Sequence, residues 1–301
     1  MTSIKSHEYW ATKGDVQLYV YRKYAGSPEG KPILMLVHGS SLSALPSYDI
    51  QVLGADPGYS FMDKCAQRGF DVWTVDHEGY GRSTRTDSNS NISMAVGDLS
   101  AAAAVVKKET GRSQFHCYGQ SSGALRAALF AQKQPHRVDR LVLDAFVWTG
   151  EGSPTLAKRR EQLPHLRKNN VRKIDKEMIR SIFTRDKPGT SEPVIADAVA
   201  EAQLSYGEMI PTGTYLDMCA NLPIVDPAEI SSPVLIMRGE HDGIATMQDL
   251  MAFFEKLPNS DKEVSVLPGT AHIPHFGVNR HRFYHILFAF LEMPERRDSG
   301  R

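Results

Sequence analysis

A serine flanked by glycines is the feature of this sequence that most strongly suggests covalent chemistry. The pentapeptide Gly119-Gln120-Ser121-Ser122-Gly123 follows a short strand-like run at 115–118 and precedes a helical segment at 122–134. A serine hydroxyl is a weak nucleophile until a base removes its proton, and it must also be exposed to the substrate. A tight strand-to-helix turn exposes it, and such a turn requires small residues two positions before and after the serine. We therefore predict that Ser121 is a nucleophile; the alternative is a turn serine without chemistry.

The partners that a nucleophilic serine needs are found later in the chain. The serine is activated by a histidine, and a carboxylate orients that histidine. Asp242 follows a predicted strand at 234–237, and His272 follows the next predicted strand at 263–267. Because residues that follow parallel strands collect at one edge of the sheet, we expect Ser121, Asp242 and His272 to converge.

Four further residues bear on the choice of the acid and the base. Glu240 is an alternative acid that lies nearer its strand, and Asp144, at the end of another predicted strand, is the second choice. His275 is an alternative base that lies farther along the same loop as His272. His116 lies within the strand before the serine and is expected to pack in the core. We expect no metal at the two loop histidines, because no carboxylate stands at ligand spacing.

An acyl-transfer site also needs two hydrogen-bond donors for the oxyanion. One donor is expected to be the backbone N–H of Ser122, the residue after the nucleophile. The other should come from the loop after the apolar run at 33–37, where the N–H of Ser40 is the first candidate and that of Ser41 the second. His38 is expected to support this loop rather than to take part in chemistry.

The elements that must position these residues alternate along the chain. Continuous apolar runs are typical of strands that are covered on both faces, and the intervening segments have helical character. The predicted strands lie at 16–21, 33–37, 70–76, 115–118, 140–144, 234–237 and 263–267. The predicted helices lie at 60–68, 93–110, 122–134, 247–256 and 280–291. This alternation predicts an α/β fold with a parallel sheet and right-handed crossovers.

The alternation of strands and helices stops near residue 150. From there to residue 227 the sequence is helical and lacks apolar strand runs. We therefore predict a helical cap at 150–227, inserted between two consecutive strands of the sheet. The remaining residues, 1–149 and 228–301, are predicted to form the core.

The predicted cap has an uneven distribution of charge. Basic residues predominate from Glu151 to Lys187, whereas the segment from Pro188 to Glu229 contains acidic residues and no lysine or arginine. The simpler interpretation is that the two halves pair and otherwise form solvated helix faces. The alternative is that one or two of the basic groups hold an anionic substrate under the cap.

The composition limits the partners that the chain is expected to have. Lysine plus arginine and aspartate plus glutamate each number 35 in 301 residues, so the net charge favours neither nucleic acid nor an anionic membrane as partner. Three widely spaced cysteines and a polar segment at 1–14 without signal-peptide character lead us to expect a cytoplasmic protein. We expect a small-molecule substrate and no cofactor; a homo-oligomer is compatible with the sequence.

These motifs together resemble the α/β-hydrolase fold family, and the resemblance covers nearly the whole chain outside the predicted cap. It is carried by His38-Gly39, Asp76-x-x-Gly79-x-Gly81-x-Ser83, the Ser121 pentapeptide, Asp242 and His272. The resemblance implies an eight-stranded, mostly parallel sheet flanked by helices, with a lid between the sixth and seventh strands. A serine at the nucleophile position excludes relatives with an aspartate nucleophile, such as epoxide hydrolases and haloalkane dehalogenases.

The expected function is hydrolysis of a carboxylic ester or lactone through an acyl-serine intermediate with a Ser-His-Asp triad. One alternative is C–C bond hydrolysis of a ring-fission diketone, for which Arg126 would be the nearest substrate-binding arginine, although a surface position is expected for it. Cofactor-free lyase or perhydrolase chemistry would use the same site, and a non-catalytic hydrolase-fold receptor would bind a small ligand there without turnover. The candidate pocket residues are Phe146, Trp148, Tyr206, Met209, Tyr215 and Met218.

Overall fold

The computed structural model describes residues 2–52 and 58–294, and within these ranges ten strands and eleven α-helices form. The strands are β1 (Ile4–Lys13), β2 (Val16–Ala25), β3 (Ile33–Val37), β4 (Asp71–Val75), β5 (Phe115–Gln120), β6 (Val138–Asp144), β7 (Val171–Lys173), β8 (Met209–Pro211), β9 (Val234–Gly239) and β10 (Lys262–Leu267). The helices are α1 (Ala44–Tyr48), α2 (Phe61–Arg68), α3 (Ala95–Thr110), α4 (Ser122–Lys133), α5 (Pro154–Arg160), α6 (Leu163–Lys168), α7 (Lys176–Thr184), α8 (Pro193–Leu204), α9 (Gly213–Ala220), α10 (Met247–Lys256) and α11 (Arg280–Leu291).

Eight of the strands form one sheet in the order β1-β2-β4-β3-β5-β6-β9-β10. Strand β2 is antiparallel to both of its neighbours, and every other pairing in this sheet is parallel. The predicted eight-stranded, mostly parallel α/β sheet flanked by helices is therefore confirmed. Its parallel strands bring their carboxyl ends to one edge, where the loops that carry the predicted functional residues begin.

Strand β1 is the strand of this sheet that the sequence analysis did not find. It pairs along its whole length with β2, yet Ala11 is the one buried residue among its ten. An edge strand needs few apolar residues, because its backbone hydrogen bonds to one neighbour hold it in place. The apolar alternation on which strand prediction depends is therefore absent here.

The core lies on both faces of the sheet. In β3, Met35 packs into the cluster on one face, whereas Leu34 and Leu36 pack into the cluster on the other. This two-sided burial explains the continuous apolar run, because successive side chains of a strand point to opposite faces. Helix α4 lies against β5 and β6, and its small residues Ala124 and Ala128 are completely buried at that contact.

The segment between β6 and β9 contains helices α5 to α9 and a second sheet in which β7 and β8 pair antiparallel. The sequence pattern predicts only helices here, because strands of three residues are too short for a recognisable apolar pattern. The division into a core and a cap at 150–227 stays a prediction. No helix in the described parts of the chain combines the length and apolar character needed to cross a bilayer.

Candidate active site

Ser121 occupies the turn between β5 and α4, with φ 57° and ψ −125°. A side chain is uncommon at positive φ, and a strained residue of this kind is typical of a functional site. The turn closes because the flanking residues lack a Cβ: one on Gly119 would lie 2.3 Å from the carbonyl oxygen of Gly123, and one on Gly123 would lie 2.1 Å from that of Val37. The spacing of the two glycines is thus required by backbone-to-backbone contact.

Ser121, His272 and Asp242 form a chain of two hydrogen-bond contacts. The Oγ of Ser121 lies 3.2 Å from Nε2 of His272, and Nδ1 of His272 lies 2.9 Å from Oδ1 of Asp242. A neutral imidazole with its proton on Nδ1 donates to Asp242 and presents Nε2 as an acceptor for the serine proton. This geometry can support nucleophilic chemistry at Ser121.

The carboxyl group of Asp242 is held in its ionised form although it is buried. Burial opposes ionisation, but the electrostatic attraction and hydrogen bond of the His272 N–H and the N–H of Ile244, 3.0 Å from Oδ1, outweigh it and lower the pKa of Asp242. An ionised carboxylate at this position fixes the imidazole tautomer.

The two alternative acids have different partners. Asp144 accepts a hydrogen bond of 2.7 Å from the hydroxyl of Tyr118, and complete burial raises the pKa of Asp144 well above its usual range. Glu240 accepts from the backbone N–H of Gly269 at 2.7 Å, and its side chain is half exposed. Neither carboxylate contacts His272 in the described structure.

Two histidines that the sequence also offered near the site, His275 and His116, are packing residues. His275 is completely buried, its Nε2 lies 3.0 Å from the carbonyl oxygen of Ser47, and burial lowers the pKa of His275 to about 3. His116 is also buried, and its ring packs edge-on against Phe70. The expectation that His116 is a core residue is confirmed.

The loop after β3 packs directly against the Ser121 turn. A Cβ on Gly39 would lie 3.2 Å from the carbonyl oxygen of Gln120, so only glycine allows this approach without displacement. The hydroxyls of Ser40 and Ser122 are hydrogen-bonded at 2.5 Å. The structure thus places the two residues that the sequence analysis chose as oxyanion donors next to each other and next to the nucleophile candidate.

His38 and Asp76 hold this loop in place. Nδ1 of His38 lies 2.8 Å from the carbonyl oxygen of Gly39, and Nε2 accepts the backbone N–H of His77 at 3.1 Å. Asp76 accepts the backbone N–H of Ala44 at 2.7 Å. The structural role expected for His38 is confirmed, and the Asp76 motif supports the same loop.

The expected surface position of Arg126 is wrong, and the set of candidate pocket residues is only partly correct. Arg126 is completely buried and not on the surface; it donates to the carbonyl oxygens of His38 at 3.3 Å and Ser90 at 3.2 Å. Burial is tolerated because backbone carbonyls satisfy part of the guanidinium. Of the six candidate pocket residues, Tyr215 lines the cavities beside Ser121; Phe146 and Met218 are buried in the core.

Two arginines that line the site from the segment between β6 and β9 are not singled out by the sequence. Besides the expected Tyr215, the cavity at Ser121 and His272 is lined by Arg159 and Arg185. The charge split between residues 151 and 229 was the signal that could have found the arginines, but it did not indicate which of them are paired.

One group of side chains has the composition of a metal site. Asp186, Asp242 and His272 could each offer one ligand atom, and these atoms lie within 4.8 Å of one another. The hydrogen bond between Asp242 and His272 already uses two of the three groups. The expectation of a site without metal stays a prediction.

Comparisons with known proteins agree with this architecture. Residues 59–277 match the family described as serine aminopeptidase, S33. Since the match spans more than half of the chain, the protein belongs to this family of α/β-hydrolases. No curated protein matches the sequence significantly.

Solved structures of hydrolases share the fold. The 2-hydroxy-6-oxo-6-phenylhexa-2,4-dienoate hydrolase of Rhodococcus sp. strain RHA1 has a TM-score of 0.71 at 18% identity, covering 96% of this chain and 100% of that chain. The enol-lactonase of Burkholderia xenovorans LB400 has a TM-score of 0.67 at 17% identity, covering 94% and 100%. A thermophilic esterase of Thermogutta terrifontis has a TM-score of 0.67 at 18% identity, covering 95% and 98%. Identities this low show the fold alone; with the family match they support a hydrolase.

Proposed function

We propose that the protein is a serine hydrolase that cleaves a small or medium-sized carboxylic ester or lactone through an acyl-serine intermediate. Ser121 is the nucleophile, His272 the general base and acid, and Asp242 the group that orients the histidine. The N–H groups of Ser40 and Ser122 stabilise the oxyanion. The observation that carries the proposal is the line of contacts from Ser121 to His272 at 3.2 Å and from His272 to Asp242 at 2.9 Å.

In the proposed reaction, the Oγ of Ser121 attacks the carbonyl carbon as its proton passes to Nε2 of His272. The tetrahedral intermediate collapses, the C–O bond to the alcohol breaks, and His272 returns the proton to the leaving oxygen. Water then attacks the acyl-serine with the same base, releasing the acid and restoring Ser121. No step requires a cofactor.

We also propose that residues 150–227 form a cap over this site and that 1–149 with 228–301 form the core. The support is that lining residues of the Ser121 cavity come from both segments: Ser40 and His272 from the core, Arg159 and Tyr215 from the cap. A cap that lines the site selects the substrate, whereas the core performs the chemistry.

A substrate panel tests the proposal. We expect hydrolysis within a set of p-nitrophenyl esters of increasing chain length and simple lactones, and loss of this activity in Ser121→Ala. Ring-fission diketones form the second arm, because C–C hydrolysis could use the same residues. Ester and lactone activity that survives in Ser121→Ala, or turnover confined to diketones, would contradict the proposed function.

A further inference from the structure

A large basic cavity lies next to the Ser121 site. Its volume is about 820 Å³, and it shares Arg159, Ile182, Arg185 and Tyr215 with the smaller cavity at Ser121. The two spaces therefore meet at these side chains. A substrate bound at Ser121 has room to extend into the larger cavity.

The walls of the larger cavity carry an excess of positive charge. Five basic side chains line it, against a single aspartate among the same lining residues. The basic residues are Lys158, Arg159, Arg172, Lys173 and Arg185, and the acidic residue is Asp186. Asp186 lies 3.4 Å from Arg185 and Lys173 lies 3.1 Å from Glu208, so these two cations are compensated.

The acidic half of the segment between β6 and β9 compensates further cations. Lys176 pairs with Glu201 at 2.9 Å, and Arg180 pairs with Asp197. The simpler interpretation of the charge split, pairing between its halves, is therefore correct for these exposed residues. For Arg159 and Arg172, no ion pair forms within residues 2–52 and 58–294.

Arg159 and Arg172 are held against one aromatic ring. Their guanidinium carbons lie 4.3 Å and 3.9 Å from the ring centroid of Tyr215. Nη1 of Arg159 and Nε of Arg172 are buried without a hydrogen-bond partner among the described residues. Buried donors are nearly always satisfied, so two unsatisfied guanidinium nitrogens in one cavity indicate a binding partner that supplies acceptors.

The positive charge of these two arginines also affects the hydroxyl of Tyr215. Burial alone would raise the pKa of Tyr215, but the charges of Arg159 and Arg172 dominate and lower it to about 7. The hydroxyl of Tyr215 lies 3.2 Å from Oγ of Ser41, which also accepts a hydrogen bond of 2.8 Å from Arg172. The arginine pair is thus connected directly to the loop that carries Ser40.

We propose that Arg159 and Arg172, stacked on Tyr215, bind an anionic group of the substrate, a carboxylate or a phosphate, close to the scissile carbonyl. Guanidinium groups suit this role because their forked donors match the oxygens of either anion. That the bound anion belongs to a substrate rests on the proposed function, whereas anion binding itself does not depend on it. The neutral ester of the same shape leaves the unsatisfied donors without acceptors.

Matched pairs of substrates test the inference on the unmodified protein. Monoethyl esters of the dicarboxylates from succinate to suberate are compared with ethyl esters of equal chain length in which a methyl replaces the carboxylate. Proton release gives kcat/KM for each. We expect at least one monoethyl ester to exceed its neutral partner by about 10- to 100-fold, the effect of one charge-assisted hydrogen-bond set. If the esters are cleaved, equal or lower kcat/KM across the whole series would rule out a carboxylate as the bound group, and the proposal would then fail unless phosphate binds in the titration described below.

Variants of Arg159 test whether this residue causes the preference for the anionic ester. Arg159→Gln should reduce kcat/KM for the favoured monoethyl ester by about 10-fold or more, and by a clearly larger factor than for its neutral partner. Arg159→Lys should recover part of the loss, because it restores the charge without the fork. Arg180→Gln, which removes a cation that pairs with Asp197 and does not line the cavity, is the matched control. Equal losses on both esters in folded Arg159→Gln would contradict anion binding.

A binding measurement separates this inference from the proposed function. Calorimetric titration of Ser121→Ala with adipate, inorganic phosphate and neutral hexanediol needs no turnover. Tighter binding of adipate assigns a carboxylate and tighter binding of phosphate assigns a phosphate, with Arg159→Gln in the same background weakening either. If no ester is cleaved but an anion binds in this way, only the proposed function fails. If neither anion binds more tightly than the diol, the inference fails, whatever the activity.

Discussion

His272 and Asp242 are joined by a hydrogen bond of 2.9 Å between Nδ1 and Oδ1, and they lie in the loops that follow two adjacent parallel strands. The carboxylate reaches the histidine because β9 and β10 are neighbours in register, although 30 residues separate the two side chains in sequence. This relationship sets Nε2 of His272 toward Ser121 and distinguishes Asp242 from Asp144.

Replacing Asp242 with asparagine should lower kcat by about 10⁴-fold, since the amide favours the wrong imidazole tautomer. Asp144→Asn is the matched control, because Asp144 is buried at the end of β6 and bonds to Tyr118. We expect Asp144→Asn to change kcat by less than about tenfold. Steady-state kinetics on one ester compares them; a larger loss in Asp144→Asn would mean that the acid is misassigned.

Removing the hydroxyls of Ser40 and Ser122 tests whether the oxyanion donors are backbone groups. The double change Ser40→Ala with Ser122→Ala deletes the 2.5 Å hydrogen bond between the hydroxyls but keeps both N–H groups. We expect kcat to fall by less than about tenfold, whereas loss of a true oxyanion donor costs about 10²- to 10³-fold. A fall of the larger size, with unchanged thermal stability, would assign the stabilisation to the side chains.

Gly123→Ala should destabilise the fold as well as remove activity. Its Cβ would lie 2.1 Å from the carbonyl oxygen of Val37, in a rigid strand that cannot move away. We expect a loss of about 3 kcal/mol or more in the free energy of unfolding, measured by urea denaturation. Gly30→Ala is the control: its Cβ would meet no atom within 4 Å, so positive φ alone costs about 1–2 kcal/mol. Equal losses would contradict the close-contact explanation.

The protonation of Tyr215 should control KM for anionic substrates. The groups that face it are Arg159, Arg172, Arg185 and Ser41, and the arginines lower the pKa of Tyr215 to about 7 against the effect of burial. Below this pH the phenol is neutral and leaves the arginines available; above it the phenolate neutralises one charge.

KM for a monoethyl ester should therefore rise above about pH 7, by up to about tenfold per pH unit, whereas KM for the neutral ester stays constant. Tyr215→Phe should remove this rise. A pH-independent KM for the anionic ester in the unmodified protein, or an equal rise with Tyr215→Phe, would show that the phenol does not compete for the site.

Much of this arrangement could be predicted from sequence because the decisive residues stand directly after strongly apolar strands. Ser121, Asp242 and His272 follow β5, β9 and β10, and parallel pairing brings the ends of those strands together. Strand β1 could not be predicted from its sequence, because it lies at an exposed edge of the sheet and has only one buried side chain. No apolar pattern therefore marks it.

The cation pairing in the segment between β6 and β9 could not be predicted, because it depends on tertiary contacts. Arg159, Arg172 and Arg180 belong to the same basic stretch of sequence, yet Arg180 meets a carboxylate and the remaining two meet a tyrosine ring. Arg126 was misplaced for a related reason: a charged residue in a helix is normally exposed, and here two backbone carbonyls accept its hydrogen bonds.

The most direct test of the account is covalent labelling of Ser121 by a fluorophosphonate. We expect intact-mass spectrometry to show one phosphonyl group per chain, mapped to the peptide that contains Ser121, and no labelling of Ser121→Ala. Ser205→Ala, at an exposed serine after α8, should label like the unmodified protein. No labelling of the folded protein, or labelling that persists in Ser121→Ala, would contradict the assignment of Ser121 as the nucleophile.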